Sequence, residues 1–376
     1  LRPGEPVGEM SLPAGAPHSA YVVALRDSEI FALPGQTFFD ACEEDPAVMT
    51  ELARLMILRS RQAATKASIG EPSVFGFVAT GDPIAIRPLV DRIGREVGKL
   101  GYSVTVVGAE AQSAPTEWFS EVERDYDFVL YAAESGDQGW RQVVGRQVDR
   151  LFRVARGDTP PPAGGARGVE PLQAQNLVDL ILVQRRDAKF PQGSEAWVEA
   201  AQPARLFHMR REHGDDVKRM ARVLTGQSVG LVLSGGGARA YAHVGAIQAL
   251  RERNVPIDFV GGASMGAIIA AGLALGWGGE EMDERIRDAF VNTSPLDDIA
   301  IPLLAMTRGD KVRERLAQHF GDIQIADLWL PFFCVSSNLT TGSTHIHRSG
   351  RLRDALRASI SLPGVLPPAT THDNNV

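Results

Sequence analysis

Cysteine is almost missing from this chain of 376 residues: Cys42 and Cys334 are the only two, far apart and in apolar surroundings. Two such thiols predict buried free cysteines rather than a disulfide framework, and with them a reducing compartment. Positive charge is short as well. Lys and Arg total 39 against 46 Asp and Glu, a formal net charge of −7. That balance argues against a nucleic-acid partner, which demands a basic surface. The Lys-Ser/Thr pair of a phosphate loop is absent from the turn Thr80-Gly81-Asp82-Pro83, so ATP hydrolysis is disfavoured there. No secretory signal pattern is visible, although the chain opens at Leu1 rather than Met and its beginning is expected to lie upstream. The longest apolar stretch, residues 259–277, approaches the length of a membrane span. It is dense in Gly and Ala and opens with a strand pattern, which predicts a buried strand followed by a buried helix.

What the chain does have is glycine in informative places. Gly262-Ala263-Ser264-Met265-Gly266 follows the strand-like run Phe259-Val260-Gly261. A Gly-x-Ser-x-Gly on a sharp strand-to-helix turn lifts a serine hydroxyl clear of the backbone, where it can attack an acyl carbon. Upstream, Gly230 to Leu233 form a second strand pattern, which runs into Ser234-Gly235-Gly236-Gly237-Ala238-Arg239. Glycines let backbone N–H groups converge without obstruction, as an oxyanion hole requires. A phosphate-binding loop is the competing reading of this run. The helix expected from Ala267 would direct its N-terminal N–H groups and dipole toward Ser264. A serine nucleophile needs a base, and His243, His319, His345, His347 and His372 all lie in this half of the chain. His345 and His347 alternate on a predicted strand and read as half-exposed strand residues.

The length fits two or three domains. Residues 1–62 read as strands at Tyr21–Leu25 and Glu29–Leu33, then a helix from about Pro46. Gly8-Glu9-Met10-Ser11-Leu12 followed by Pro17-His18-Ser19-Ala20 resembles the phosphate cassette of cyclic nucleotide-binding domains, which implies the C-terminal part of a β-barrel. In that family the glutamate holds the ribose hydroxyl and an arginine neutralises the cyclic phosphate. Here His18 stands at the arginine's place, and an imidazole lacks the bidentate fork that fits a phosphate. A structural or degenerate cassette is expected, with a cyclic nucleotide as the ligand it would otherwise take. Residues 70–200 alternate strand and helix and predict an α/β scaffold with an emptied, nucleotide-binding-like site. Residues 201–227 read as a linker helix whose arginines either face solvent between domains or meet anionic lipid headgroups.

Residues 228–376 carry the chemistry. Gly235-Gly236-Gly237-Ala238-Arg239, Gly262-Ala263-Ser264-Met265-Gly266 and Arg357-Ala358-Ser359-Ile360-Ser361-Leu362-Pro363-Gly364-Val365-Leu366-Pro367-Pro368, in that order, resemble the patatin-like phospholipases. With the preceding segments, the architecture is similar to bacterial neuropathy target esterase-like proteins. The resemblance implies an α/β/α sandwich and a Ser-Asp dyad with no cofactor and no metal. It makes Ser264 the nucleophile, and it assigns the oxyanion loop to Gly235, Gly236, Gly237 and Arg239. The implied partner is a phospholipid or lysophospholipid ester at a membrane surface, and the implied location is the cytoplasm or the periphery of the inner membrane. Two positions depart from the family. Ala240 stands where glycine is frequent. The dyad aspartate belongs to an Asp-Gly-Gly or Asp-Gly-Ala triplet, whereas Asp373 is followed by Asn374 and Asn375. The expectation is a dyad aspartate beyond Val376, with Asp373 the weaker candidate. A cyclic nucleotide-responsive regulator and a catalytically dead membrane scaffold are the alternative functions.

Overall fold

The computed structural model describes residues 6–8, 11–15, 30–64, 72–166, 178–290, 292–293, 296–300 and 305–370. Near the N-terminus, Gly8 adopts a positive φ of 86° and its carbonyl accepts the N–H groups of Ser11 and Leu12, which starts the short helix α1 (Ser11–Ala14). Glu9, His18 and Ser19 of the cassette, and the strand expected at Tyr21–Leu25, lie outside the described residues. Residues 30–34 are irregular rather than a strand, with Ile30 and Phe31 largely exposed, so neither a ladder nor a core fixes them extended. Helix α2 (Gly35–Glu44) has no counterpart in the sequence reading, whereas α3 (Pro46–Ala64) begins where expected. Asp45 separates the two helices, and its carboxylate caps the second by accepting the Ala47 N–H at 2.9 Å.

The next segment builds a six-stranded, wholly parallel sheet. Its elements are β1 (Val74–Ala79), α4 (Arg87–Lys99), β2 (Val104–Val107), α5 (Thr116–Asp125), β3 (Phe128–Ala133), α6 (Gln138–Gln147), β4 (Arg150–Arg156), β5 (Val178–Gln184), α7 (Ser194–Ala201), β6 (Leu206–Arg210) and α8 (Gly214–Leu224). The strand order is β2-β3-β1-β4-β5-β6. Continuous buried runs such as Val74–Ala79 and Phe128–Ala133 show that both faces are covered, as parallel sheets require. Helices α4 and α8 pack on one face around Phe77, Phe152, Ile93 and Met220; α5 and α6 pack on the other around Tyr131 and Trp140.

Residues 206–224 correct the expected linker helix. Phe207 and Met209 are buried in β6, and the helix starts only at Gly214. Arg210 pairs with the buried Asp216 at 2.9 Å and Arg222 with the buried Asp258 at 2.6 Å, while Lys218 pairs with the exposed Asp215 at 3.1 Å. Arg219 is buried and donates to the His208 carbonyl. Arg219 and Arg222 are thus committed to contacts within the fold, whereas Lys218 stays at the surface.

The last segment forms a second sheet from β7 (Gly230–Leu233), β8 (Phe259–Ala263), β9 (Phe332–Asn338) and β10 (Ser343–His347), in the order β10-β9-β8-β7. The first three strands are parallel, and β10 runs antiparallel to β9. Helices α9 (Ala242–Glu252), α10 (Met265–Leu275), α11 (Gly279–Phe290), α12 (Asp310–Phe320) and α13 (Leu352–Ser359) share one apolar cluster with the sheet. Residues 259–277 are the expected strand and buried helix, β8 and α10. Among the described residues no helix is long and apolar enough to cross a membrane.

Direct contacts join the two sheets. Phe207 packs edge-on against Phe259 with ring centroids 6.0 Å apart. The Ser194 N–H donates to Asp327 at 3.0 Å, and the Trp329 indole N–H donates to the Lys189 carbonyl at 3.2 Å.

Candidate active site

Strand β8 passes into α10 through one residue, Ser264, and this sharpness decides its conformation. Ser264 has φ 53° and ψ −130°, a region that side-chain-bearing residues avoid at a cost of about 1–3 kcal/mol. The neighbouring glycines make the turn possible. A methyl group on Gly266 would lie 2.3 Å from the Leu233 carbonyl oxygen and 2.4 Å from that of Ser234. On Gly262 it would lie 2.7 Å from the backbone of Gly266. Only hydrogen fits at either position, so α10 can pack closely on the end of β7. The Ser264 carbonyl accepts the N–H groups of Ala267 at 2.9 Å and Ile268 at 3.3 Å, which opens the helix directly at this serine.

The glycine loop arrives at the same point from β7. Gly235 lies against the serine: a methyl group there would be 3.0 Å from Ser264 Cβ and 3.8 Å from Oγ. Gly237 takes φ 56° and begins a 3₁₀ turn, Gly237–Tyr241, that leads into α9. Gly236 shares the loop, and its carbonyl accepts the Arg239 N–H at 3.2 Å. The Arg239 side chain is exposed, and no ion pair holds it among the described residues. The structure therefore brings Ser264 and Gly235 into contact, with Gly236, Gly237 and Arg239 in the same loop.

The histidines have other tasks. His243 Nε2 lies 2.9 Å from the Ser234 carbonyl oxygen, a donor geometry that ties the loop to α9. His347 is 8% exposed rather than half-exposed, and its Nε2 sits 2.8 Å from Ser336 Oγ. Burial and the neighbouring His345 depress its pKa to about 4, so it is neutral near pH 7. His319 lies 3.3 Å from Asp288, between α12 and α11. Among the described residues no imidazole and no carboxylate hydrogen-bonds to the Ser264 hydroxyl. His372 and Asp373 lie outside the described residues.

One residue bonded to the serine turn escaped the sequence reading. The Ser264 N–H donates to the hydroxyl of Ser359 at 2.9 Å, and that hydroxyl donates to the Val335 carbonyl at 2.7 Å. Ser359 is 95 residues away in sequence. Its place in the block beginning at Arg357 was the only signal available, and that block gives no direction for its hydroxyl.

The scaffold's first loop has been filled from within. The Glu134 carboxylate accepts the N–H groups of Ile86 at 3.0 Å and Arg87 at 3.1 Å, at the α4 N-terminus where a phosphate would bind. Trp197 covers the loop so closely that a methyl group on Gly81 would lie 2.9 Å from its ring. Among the described residues no cluster of His, Cys, Asp and Glu could hold a metal ion.

Comparison with known proteins agrees with this geometry. Residues 231–375 match the patatin-like phospholipase family, and residues 1–45 match the cyclic nucleotide-binding domain. An uncharacterized NTE family protein of Mycobacterium tuberculosis is 36% identical over 377 residues, which cover 97% of this chain and 62% of the relative. Patatin-like phospholipase domain-containing protein 6 of Homo sapiens is 29% identical over 429 residues, covering 97% of this chain and 31% of the relative. Neuropathy target esterase sws of Drosophila virilis is 27% identical, over 97% of this chain and 28% of its own length. The chain thus spans less than two thirds of each relative, yet it is matched along nearly all its own length. With the serine turn and glycine loop inside the matched region, residues 231–375 match the patatin-like phospholipase family, and nearly the whole chain is similar to an NTE family protein.

Proposed function

We propose that the protein is a serine hydrolase of lipid carboxyl esters, with phospholipids or lysophospholipids as substrates. The supporting observation is Ser264, held at φ 53° on the strand–helix turn with Gly235 in contact with it. Ser264 Oγ attacks the ester carbonyl carbon while its proton passes to a base. The carbonyl oxygen becomes an oxyanion that accepts N–H groups of the Gly235–Gly237 loop. Collapse of the intermediate breaks the bond to the alcohol, which leaves with the proton, and the acyl group remains on Ser264. Water then attacks the acyl-enzyme through the same base and frees the fatty acid.

The base we assign to an aspartate that follows the described residues, either Asp373 or, as the family's triplet suggests, one beyond Val376. The absence of an imidazole hydrogen-bonded to the Ser264 hydroxyl among the described residues, with His243 bonded to the Ser234 carbonyl and His347 to Ser336, supports a dyad that does without imidazole. No step calls on a metal or an organic cofactor. The lipid substrate implies contact with a membrane surface. Incubating the full-length protein with phosphatidylcholine and lysophosphatidylcholine vesicles tests the reading. Fatty acid release that disappears in Ser264→Ala supports it, and release unchanged by that substitution refutes it.

A second reading concerns control and rests on the cyclic nucleotide-binding match at residues 1–45. In this reading the N-terminal domain binds a cyclic nucleotide that governs hydrolysis. Equilibrium dialysis of cyclic AMP and cyclic GMP with the full-length protein decides it, and no saturable binding below millimolar concentration would discard it.

A further inference from the structure

Ser264 occupies a conformation that it would not adopt alone, so its surroundings must hold it there. Two of the restraints are packing and helix geometry: the close fit of Gly266 under the end of β7, and the α10 N–H groups on the Ser264 carbonyl. The third is a hydrogen bond to the nucleophile's own N–H, and it comes from Ser359 at the last position of α13.

The Ser359 hydroxyl has one proton, and its geometry fixes where that proton goes. Val335 offers a carbonyl at 2.7 Å, which can only accept, and Ser264 offers an N–H at 2.9 Å, which can only donate. The hydroxyl therefore points its proton at Val335 and a lone pair at Ser264. Val335 belongs to β9 and is the register partner of Ala263, the residue just before the nucleophile. One hydroxyl thus locks the Ala263–Ser264 peptide plane to the neighbouring strand and to the end of α13.

Two consequences bear on acyl transfer. The Ser264 N–H is already engaged and is withdrawn from the donors that could meet an oxyanion, which leaves the Gly235–Gly237 loop and the first N–H groups of α10. In addition, the orientation of this peptide sets where Ser264 Cβ and Oγ point. A small misplacement of a nucleophile is costly in rate because reaction demands close alignment.

We propose that Ser359 is a positioning residue for Ser264, acting through the backbone of the nucleophile and never touching substrate. This rests on the reading of Ser264 as nucleophile. The test uses full-length wild-type protein with Ser359→Ala, Ser359→Thr and Ser359→Cys. In Ser359→Ala, kcat should fall about tenfold to a hundredfold with KM within about twofold, and Ser264 should react with a fluorophosphonate correspondingly more slowly. Ser359→Thr, which keeps the hydroxyl, should restore kcat to within about threefold of wild type. Hydrogen exchange at the Ser264 amide should quicken in Ser359→Ala and return toward wild type in Ser359→Thr. If Ser359→Ala does not fold, Ser359→Cys, a weaker acceptor of similar size, should show the same changes in smaller degree. Full kcat in Ser359→Ala, or in Ser359→Cys where that stands in, would overturn the proposal. So would Ser359→Thr as slow as Ser359→Ala with the Ser264 amide protected in both. A wild-type protein that neither hydrolyses lipid nor labels at Ser264 would instead defeat the nucleophile reading. The exchange measurement then decides the Ser359 bond alone, and an unchanged Ser264 amide in Ser359→Ala would sink it.

Discussion

His208 on β6 places its Nε2 2.7 Å from the carbonyl oxygen of Ala326, and so stitches the edge of the six-stranded sheet to the segment leading into β9. The other ring nitrogen, Nδ1, lies 3.1 Å from the Gln184 amide. A neutral imidazole protonated at Nε2 satisfies both contacts, since Gln184 can donate to Nδ1. Burial is the main reason that the pKa of His208 falls to about 4, with the Arg219 cation also lowering it; the Ala326 carbonyl and Asp216 pull the other way.

That depression makes stability depend on pH. The unfolded chain binds a proton at His208 below about 6.5, while the folded protein resists until about 4. The contribution is therefore complete above pH 6.5 and is lost as pH falls toward 4, in total on the order of 3 kcal/mol. His347, similarly depressed, acts in the same direction. Urea unfolding between pH 7.5 and 4.5 should show wild-type stability falling with acid, and His208→Gln should flatten part of that slope.

Gly235→Ala tests the approach of the glycine loop to the nucleophile. The added methyl group would meet Ser264 Cβ at 3.0 Å, tighter than ordinary contact, in a backbone conformation that alanine tolerates. The fold should survive with a melting temperature within a few degrees, and ester hydrolysis should drop by about a hundredfold or more as an oxyanion donor moves. Circular dichroism melts beside initial rates give both readouts.

Asp258, fully buried just before β8, accepts Arg222 through both oxygens at 2.6 and 2.9 Å and the Val229 N–H at 3.0 Å. Asp258→Ala leaves a mostly buried guanidinium and a backbone N–H without their acceptor. Loss of about 3–5 kcal/mol is expected from chemical denaturation. Because Arg222 lies on α8, the loss should also loosen the junction between the two sheets, visible as faster hydrogen exchange at β7 and α8.

Glu134 behaves as a built-in anion at the start of α4. Glu134→Ala should cost about 1 kcal/mol by leaving the Ile86 and Arg87 N–H groups without their carboxylate. Inorganic phosphate at tens of millimolar should recover part of that loss in the variant and do little for wild type. Melting temperatures in phosphate and chloride at equal ionic strength make the comparison.

How much of this was legible varied by element. The β8–α10 turn and the glycine loop announced themselves because each needs glycines at fixed offsets beside an apolar strand. Strands β1 and β3 were legible as uninterrupted apolar runs, and β2 as the β-branched run Val104-Thr105-Val106-Val107. Strands β4, β5 and β6 were not, because Arg150, Arg153, Asp179 and His208 break their patterns. Tertiary contacts account for that chemistry: Asp179 is fully buried between Arg150 at 2.8 Å and Arg205 at 2.6 Å. An ion pair of this kind reads as surface when only one partner is in view. The Ser359–Ser264 bond was equally hidden, since nothing local links residues so distant in sequence. The Gly35–Glu44 helix was missed because only Phe38 is buried in it, too little to establish a period.

Covalent labelling asks most directly whether Ser264 is the nucleophile. Full-length protein active on a phospholipid ester would be treated with a fluorophosphonate, digested and mapped by mass spectrometry. A nucleophilic Ser264 should carry one stoichiometric adduct, with activity lost in step with its formation and no adduct in Ser264→Ala. An inactivated protein whose adduct lies on another residue, or a Ser264→Ala protein that still hydrolyses and labels, would contradict it.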